Sequence, residues 1–276
     1  MSYEKYRYRL RSCVWEITLM CCFSCKYCGS KAGKARANEL TTEECLKISN
    51  QLADMGCQRV SLIGGEVFMR SDWALIAKAL VDLNIKVSII TNGFHLSDEL
   101  ISEIKACKVE SVAVSLDGPE WIHDEYRQKG SFQRAVNAID VLSHNDIPVS
   151  VITTLHSQNI HSLESLYRLL SDKKIFAWQL QACSPMGNAT EALFSTTFNF
   201  LDVITFVEKY MFISPFKMGI ADNIGYYTEK EDYLRGSLTG KAKFLGCKAG
   251  LSTIGIDSIG NVRGCESMYE IGRAHI

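Results

Sequence analysis

From Cys13 to Gln181 the sequence alternates short segments rich in strand formers with amphipathic, helix-like segments. Cys13–Leu19, Arg59–Ile63, Lys86–Thr91, Ser111–Leu116, Pro148–Thr154 and Phe176–Gln181 read as strands. Between them a capping box at Thr41–Glu44 opens a helix that runs to Met55, where Gly56 stops it. Further helices are predicted from Ser71-Asp72 to Leu83, and over Ser97–Ala106, Ser131–His144 and Ile160–Leu170. Six strands separated by helices imply right-handed βαβ crossovers and therefore a parallel sheet. The strands read as near-continuous apolar runs, the pattern of a sheet covered on both faces. Such an α/β sheet is either doubly wound or curled toward a barrel. In both forms ligands gather at the carboxyl ends of the strands.

The residues just past each strand are therefore informative. After the first comes MCCFSCKYCGS, Met20–Ser30, and after the second Gly64-Gly65-Glu66. After the third comes Asn92-Gly93, after the fourth Asp117-Gly118-Pro119, and after the sixth Pro185-Met186-Gly187. Beyond about residue 190 the pattern weakens. Phe198–Tyr210 is predicted as a helix, and Ile213–Gly240 has no assignment. From Cys247 the character changes, and STIGIDSIGNVRGC reads as a β-hairpin around Ile259-Gly260-Asn261. No solenoid repeat or low-complexity tract is present.

The chain has 276 residues and a formal net charge of -1, which suits one large domain plus a smaller one. That charge argues against a dedicated nucleic-acid binder. No secretion signal opens the chain, and no apolar stretch reaches the ~18 residues of a membrane span. A cytosolic setting follows, in which thiols stay reduced.

Eleven cysteines is a high count for this setting, and it demotes a disulfide clasp. The scattered Cys13, Cys45, Cys57, Cys107 and Cys183 read as small buried hydrophobes. Cys21, Cys25 and Cys28 converge on one loop but leave one coordination position open. Structural zinc wants four protein ligands. Cys22 could be the fourth, but neighbouring cysteines rarely both point inward, so it reads as a packed neighbour. A [4Fe–4S] cluster held by three cysteines keeps one iron open for chemistry, and the spacing favours it over zinc. Cys25-x-x-Cys28 is also a thioredoxin-type spacing, but a third cysteine and a six-unit repeat argue against that fold.

Cys21-x-x-x-Cys25-x-x-Cys28, with the aromatic Tyr27 before its last cysteine, resembles the radical S-adenosylmethionine (radical SAM) superfamily. The resemblance covers Val14 to about Gly187 well, Cys247–Met268 in part, and the stretch between poorly. It implies a partial (β/α)6 TIM barrel and two cofactors, a [4Fe–4S] cluster on Cys21, Cys25 and Cys28 and S-adenosylmethionine on its open iron. By the same likeness Gly64-Gly65-Glu66 meets the methionine amine, although Val67 stands where the family often has proline. Ser115 would bind the ribose, Thr91-Asn92-Gly93 would frame the adenosine, and Tyr27 would belong to the cofactor side. Asp117 and Arg127 would line the cofactor and substrate side. The blander readings are a turn-forming Asp117 and a surface pair of His123 and Arg127 on a helix.

Cys247, Gly260 and Cys265 resemble the opening of a SPASM or twitch extension, a subgroup that modifies peptides. Those two cysteines would be half of the ligands of an auxiliary iron–sulfur cluster. A full extension carries further cysteines and this sequence has none after Cys265, so the expectation is a truncated chain or an incomplete hairpin extension. The expected division is a barrel over 1–212, then a linker and the start of the auxiliary domain over 213–276.

The function implied by the resemblance is hydrogen-atom abstraction from a peptide or protein, as in ribosomal peptide maturases. The alternatives are an anaerobic sulfatase-maturing enzyme, a small-molecule radical SAM enzyme, or a non-catalytic metal-binding scaffold that binds peptide. Few residues precede the first strand, so a leader peptide would be recognised by a separate protein, a further C-terminal part or the barrel itself. An electron donor such as flavodoxin or ferredoxin is implied; nucleic acid and membrane are not. Cys183, just after the sixth strand, reads either as a packed cysteine or as a hydrogen-atom donor.

Overall fold

The computed structural model describes residues 9–94, 96–225, 228–239 and 246–266. The six predicted strands are present as β1 (Ser12–Thr18), β2 (Arg59–Gly64), β3 (Lys86–Thr91), β4 (Ser111–Ser115), β5 (Val149–Leu155) and β6 (Ala177–Ala182). They pair in parallel and in chain order. Between them run α1 (Thr42–Asp54), α2 (Trp73–Asp82), α3 (Asp98–Cys107), α4 (Glu120–Tyr126), α5 (Ser131–His144) and α6 (Leu163–Ser171). Of these only the short α4 was not read from the sequence.

The capping box forms as read. The Glu44 N–H donates to the Thr41 hydroxyl at 3.3 Å, and the Thr41 N–H to the Glu44 carboxylate at 2.8 Å. Such a cap contributes about 1 kcal/mol. Asp72 precedes α2 without capping it, because Arg70 and Thr42 engage its carboxylate instead.

Three further strands extend the sheet. After α7 (Thr197–Tyr210), β7 (Lys217–Ile220) pairs in parallel with β6, and α8 (Glu231–Thr239) packs on it. Four residues with a glycine among them are too few to show a period, which is why 213–240 had no assignment. At the other edge β8 (Thr253–Ile256) runs parallel to β1, and β9 (Val262–Arg263) turns back antiparallel to β8. The expected hairpin exists, and it joins the barrel's own sheet. The order β7-β6-β5-β4-β3-β2-β1-β8-β9 leaves the sheet unclosed, a partial barrel. The expected division at 212/213 falls between α7 and β7, and the sheet runs across it.

The reading that both faces are covered needs correction. Val60 and Leu62, Val87 and Ile89, and Trp178 and Leu180 are fully buried, whereas Ser61, Ser88, Gln179 and Gln181 on the alternate positions are half-buried. Alternate strand residues face opposite sides. Along β2, β3 and β6 the helices therefore cover one face and leave the concave one open, whereas β4 is buried on both faces. Serine and glutamine inside the apparently continuous runs carried that signal. Ile76, Leu80, Ile104, Ile139, Leu142 and Leu166 come from the helices to the convex core, each side chain contributing about 1.5–3 kcal/mol on burial. Cys13, Cys45, Cys57 and Cys107 are buried in this core, as expected. Among the described residues no helix is long and apolar enough to cross a membrane.

Candidate functional site

The loops after β1 to β6 meet at the carboxyl ends of the strands, and the sequence-predicted residues meet there too. The pairing of β1 with β2 shifts register between Glu16 and Thr18, just before the cysteine loop. The loop closes on itself through Cys21 N–H to Gly33 O (2.9 Å) and Gly33 N–H to Leu19 O (3.0 Å). Backbone donors already face two of its sulfurs: Phe23 N–H to Cys21 Sγ at 3.4 Å and Ala32 N–H to Cys28 Sγ at 3.3 Å. Burial pushes the Cys25 thiol up to about 11, against the pull of Arg127.

All eleven cysteines are free thiols. Among the described residues no three His, Cys, Asp or Glu side chains converge on the point a single metal ion would occupy. A cubane does not ask for that convergence, since each cysteine binds a different iron. Three thiols on one loop, two of them facing N–H donors, therefore fit a [4Fe–4S] cluster with one iron left open.

Cys22 departs from the reading of a packed neighbour. The Asn92 amide lies 3.6 Å from Cys22 Sγ and 3.8 Å from Cys21 Sγ, so both sulfurs face the site. Cys21 is hydrogen-bonded to Cys22, which raises Cys21 and lowers Cys22; burial raises Cys21 further, and the Asn92 amide adds to the lowering of Cys22.

Gly64 and Gly65 pack against the chain entering the loop. A Cβ on either would overlap the main chain of Thr18 or Met20. Gly65 N–H donates to Thr18 O at 2.8 Å and Glu66 N–H to Met20 O at 2.7 Å. The glycines thus serve a close approach of two backbones, beyond any contact with a ligand. Glu66 is buried, and its carboxylate accepts from Thr91 Oγ1 (2.8 Å), Asn92 N–H (2.7 Å) and Phe68 N–H (3.4 Å). Burial raises it above the usual carboxylate range, although these donors oppose the shift. Among the described residues no cation pairs with it. Gly93, at φ +74°, turns the chain where a Cβ would crowd Ala135 and Ala138 on α5. Ser115 ends β4 nearly buried, and its hydroxyl has no partner among the described residues.

Asp117 is the hub of the site. Its Oδ2 accepts from the Tyr27 hydroxyl and from Arg127 Nε, and its Oδ1 from Thr154 N–H at 2.8 Å. His123 Nδ1 accepts from Asp117 N–H at 3.1 Å, and Asn159 Nδ2 donates to Asp117 O at 2.8 Å. Burial alone would raise Asp117, but Arg127, His123 and the Tyr27 hydroxyl together outweigh it and hold the carboxyl below its ordinary value. Burial likewise works against Arg127, and Asp117 with Tyr27 and Cys25 together outweighs it. The surface-pair reading is overturned: His123 is fully buried and the Arg127 side chain is 10% exposed. Asp117 does more than turn the chain. It ties Tyr27, on the cysteine loop, to β4, β5 and the end of α4.

Sequence reasoning missed a clasp after β6. Asn188 donates its N–H to Cys28 O at 2.9 Å and its side-chain amide to Cys25 O at 3.1 Å. Gly187, at φ +64°, lies so close that a Cβ would overlap Cys28 O, and Met186 packs on Gly29. The signal available was position, since Pro185-Met186-Gly187 follows a strand's carboxyl end. His156 was also missed; its ring lies 4.4 Å from Tyr126 and 5.6 Å from Tyr27. Cys183 is buried against Tyr27 and Leu193. In the hairpin region Cys247 is exposed and Cys265 half-buried. Burial raises Cys247, with smaller contributions from Asp222 and Cys265 nearby.

A parallel sheet, three cysteines on the loop after its first strand and a Gly-Gly-Glu turn after its second make up the site at the sheet's carboxyl ends. The family model described as the Radical SAM superfamily matches residues 15–170, and the chain belongs to that superfamily. Its cofactors are a [4Fe–4S] cluster and S-adenosylmethionine. Among curated relatives, an AdoMet-dependent heme synthase of Methanosarcina barkeri is 30% identical over 66% of this chain and 53% of its own. The sporulation killing factor maturation protein SkfB of Bacillus subtilis is 27% identical over 70% of this chain and 47% of its own. This chain spans about half the length of those relatives. Its fold is that of Streptococcus suis SuiB bound to S-adenosylmethionine, with a TM-score of 0.78, 16% identity, and coverage of 97% of this chain and 63% of that one.

Proposed function

We propose that this chain is the catalytic barrel of a radical SAM enzyme that cleaves S-adenosylmethionine reductively and removes a hydrogen atom from a peptide or protein. The observation that carries the reading is the buried Glu66, without a cation of its own, beside a loop of three free cysteines. When bound, the cluster and S-adenosylmethionine supply one electron and a carbon-centred oxidant. Cys21, Cys25 and Cys28 would hold the cluster. Glu66 would accept hydrogen bonds from the methionine ammonium, Asn92 and Ser115 would meet the nucleoside, and Tyr27, Asp117 and Arg127 would keep the loop in place. The barrel's sheet takes in β7 and the β8–β9 hairpin in this reading, and Cys247 and Cys265 would be the first ligands of an auxiliary cluster. A one-electron donor of the flavodoxin or ferredoxin kind completes the reaction.

A heme synthase and peptide maturases stand side by side among the relatives. The concave face favours the peptide. Ser61, Ser88, Ser150, Gln179 and Gln181 present neutral donors and acceptors there. Arg59 and Lys86, at the amino-terminal ends of their strands, are paired with Glu110 at 2.5 and 3.0 Å. Peptide amides suit such a surface, whereas the carboxylates of a tetrapyrrole call for cations.

The test is anaerobic reconstitution with iron and sulfide, followed by quantification of 5′-deoxyadenosine beside a Cys25→Ala control. Product in the wild type alone is expected. Equal yields from both would sink the radical reading. A tetracarboxylate porphyrin that raised the yield while peptide pools did not would remove its peptide half.

A further inference from the structure

The segment that leaves the cysteine loop, residues 33–40, is fastened to two distant parts of the chain. Arg36 Nη1 donates to Glu16 Oε1 at 2.5 Å and to the Ser258 hydroxyl. Glu16, on β1, is fully buried, and among the described residues its Oε2 makes no hydrogen bond. Ser258, in the β8–β9 turn, is fully buried too. The main chain repeats the link, with Leu40 N–H to Ser258 O at 2.8 Å and Ser258 N–H to Glu16 Oε1 at 3.4 Å. The turn is itself braced: Asp257 accepts from Asn261 N–H at 2.8 Å and pairs with Arg263 at 2.6 Å.

Toward the loop, the Glu39 carboxylate accepts from Leu19 N–H (2.6 Å), Thr18 Oγ1 (2.9 Å) and Arg36 N–H (3.2 Å). Leu19 O then accepts from Gly33 N–H, and Gly33 O from Cys21 N–H. A continuous set of bonds thus runs from the hairpin turn through Arg36 and Glu39 to Cys21. Buried ion pairs seldom stabilise more than apolar packing of the same volume would, and their attested use is to fix placement.

We infer that Arg36 is a positioning residue for the cysteine loop, and that through it the C-terminal hairpin sets where Cys21 stands. The inference rests on the proposed function only for what the loop holds. The hairpin bearing Cys265 and the loop bearing Cys21 then behave as one unit, although 242 residues separate Glu16 from Ser258.

The test uses the reduced chain without cofactor, so that it does not depend on a cluster. N-ethylmaleimide labelling of each cysteine is followed by mass spectrometry in the wild type, Arg36→Gln, Arg36→Lys and Ser258→Ala. Arg36→Gln is expected to speed labelling of Cys21 by about tenfold, the scale of losing hydrogen bonds to a charged group. Ser258→Ala leaves no buried charge unpaired and is expected to speed it by about threefold, the scale of one lost neutral hydrogen bond. Arg36→Lys should fall between the wild type and Arg36→Gln. Cys107, buried under α3, reports global opening and should not change. Unchanged Cys21 labelling in both Arg36→Gln and Ser258→Ala would overturn the inference, and so would an equal rise at Cys21 and Cys107. Selective labelling of Cys21 in a protein that binds no iron even as wild type would support the role of Arg36 and remove the functional reading instead.

Discussion

Glu66 and Asp117 are both buried carboxylates at strand carboxyl ends, two strands apart, and their surroundings differ in one respect. Asp117 has its own cation, Arg127, together with the Tyr27 hydroxyl and the Thr154 N–H. Among the described residues Glu66 has three neutral donors and no ion pair, and Arg127 acts on it less than those donors do. The first is held below its ordinary pKa, because Arg127, His123 and the Tyr27 hydroxyl together outweigh burial. The second is raised, because burial outweighs its hydrogen bonds. A buried charge needs a partner. Where the chain supplies one, the carboxylate is part of the architecture. Where it does not, the carboxylate is left to the ammonium that the proposed function assigns to it.

The largest test of this contrast is Arg127→Met. It leaves Asp117 charged and unpaired, and should lower stability by about 3–5 kcal/mol in denaturant unfolding. A loss below about 1 kcal/mol would mean that Asp117 is not the hub. Glu66→Gln should do the opposite, leaving the thermal midpoint unchanged or higher. Its S-adenosylmethionine affinity, measured by calorimetry on the reconstituted protein, should fall by about 10–100-fold, the scale of one charge-assisted hydrogen bond. Equal destabilisation by the two variants would erase the distinction. Tyr27→Phe removes one of three donors to Asp117 and should cost about 1.5 kcal/mol, with Arg127 and Thr154 still in place.

The smallest effect is in the pH dependence. Burial lowers both His123 and His156 to about 4, so the unfolded chain binds more protons between about 6.5 and 4. Stability should therefore fall as pH drops through that window. Glu66, raised in the folded state, takes up protons on the folded side and opposes the fall. Glu66→Gln should thus show a steeper loss of thermal midpoint between pH 6.5 and 4.5 than the wild type, and a shallower one would contradict its raised pKa.

Much of the site could be read from the sequence. The three cysteines, Gly64-Gly65-Glu66, Asn92 and Ser115 lie at strand ends, and strand ends follow from local periodicity and turn residues. The contribution of Arg127 was less legible. It lies ten residues after Asp117, on a short helix whose surface or interior placement its own sequence does not encode. Asn188 was invisible for a related reason, since an exposed loop residue acquires a role only when it meets the carbonyls of Cys25 and Cys28. Cys22 was misjudged by a rule about neighbouring cysteines, which the Asn92 amide between the two sulfurs sets aside.

The sequence by itself determined the parallel α/β order, the positions of most strands and helices, and the spacing of the cysteine triplet. All of these are written in patterns a few residues long: period two or 3.6, a cap, a glycine turn. Only the tertiary structure decided that β2, β3 and β6 are open on one face, that β7 and the β8–β9 hairpin extend the barrel's own sheet, and that Arg36 joins Glu16 to Ser258. Those outcomes depend on which surfaces bury one another across more than two hundred residues. No local pattern carries that information, because a buried charge or an edge strand selects its partner only once the chain has closed around it.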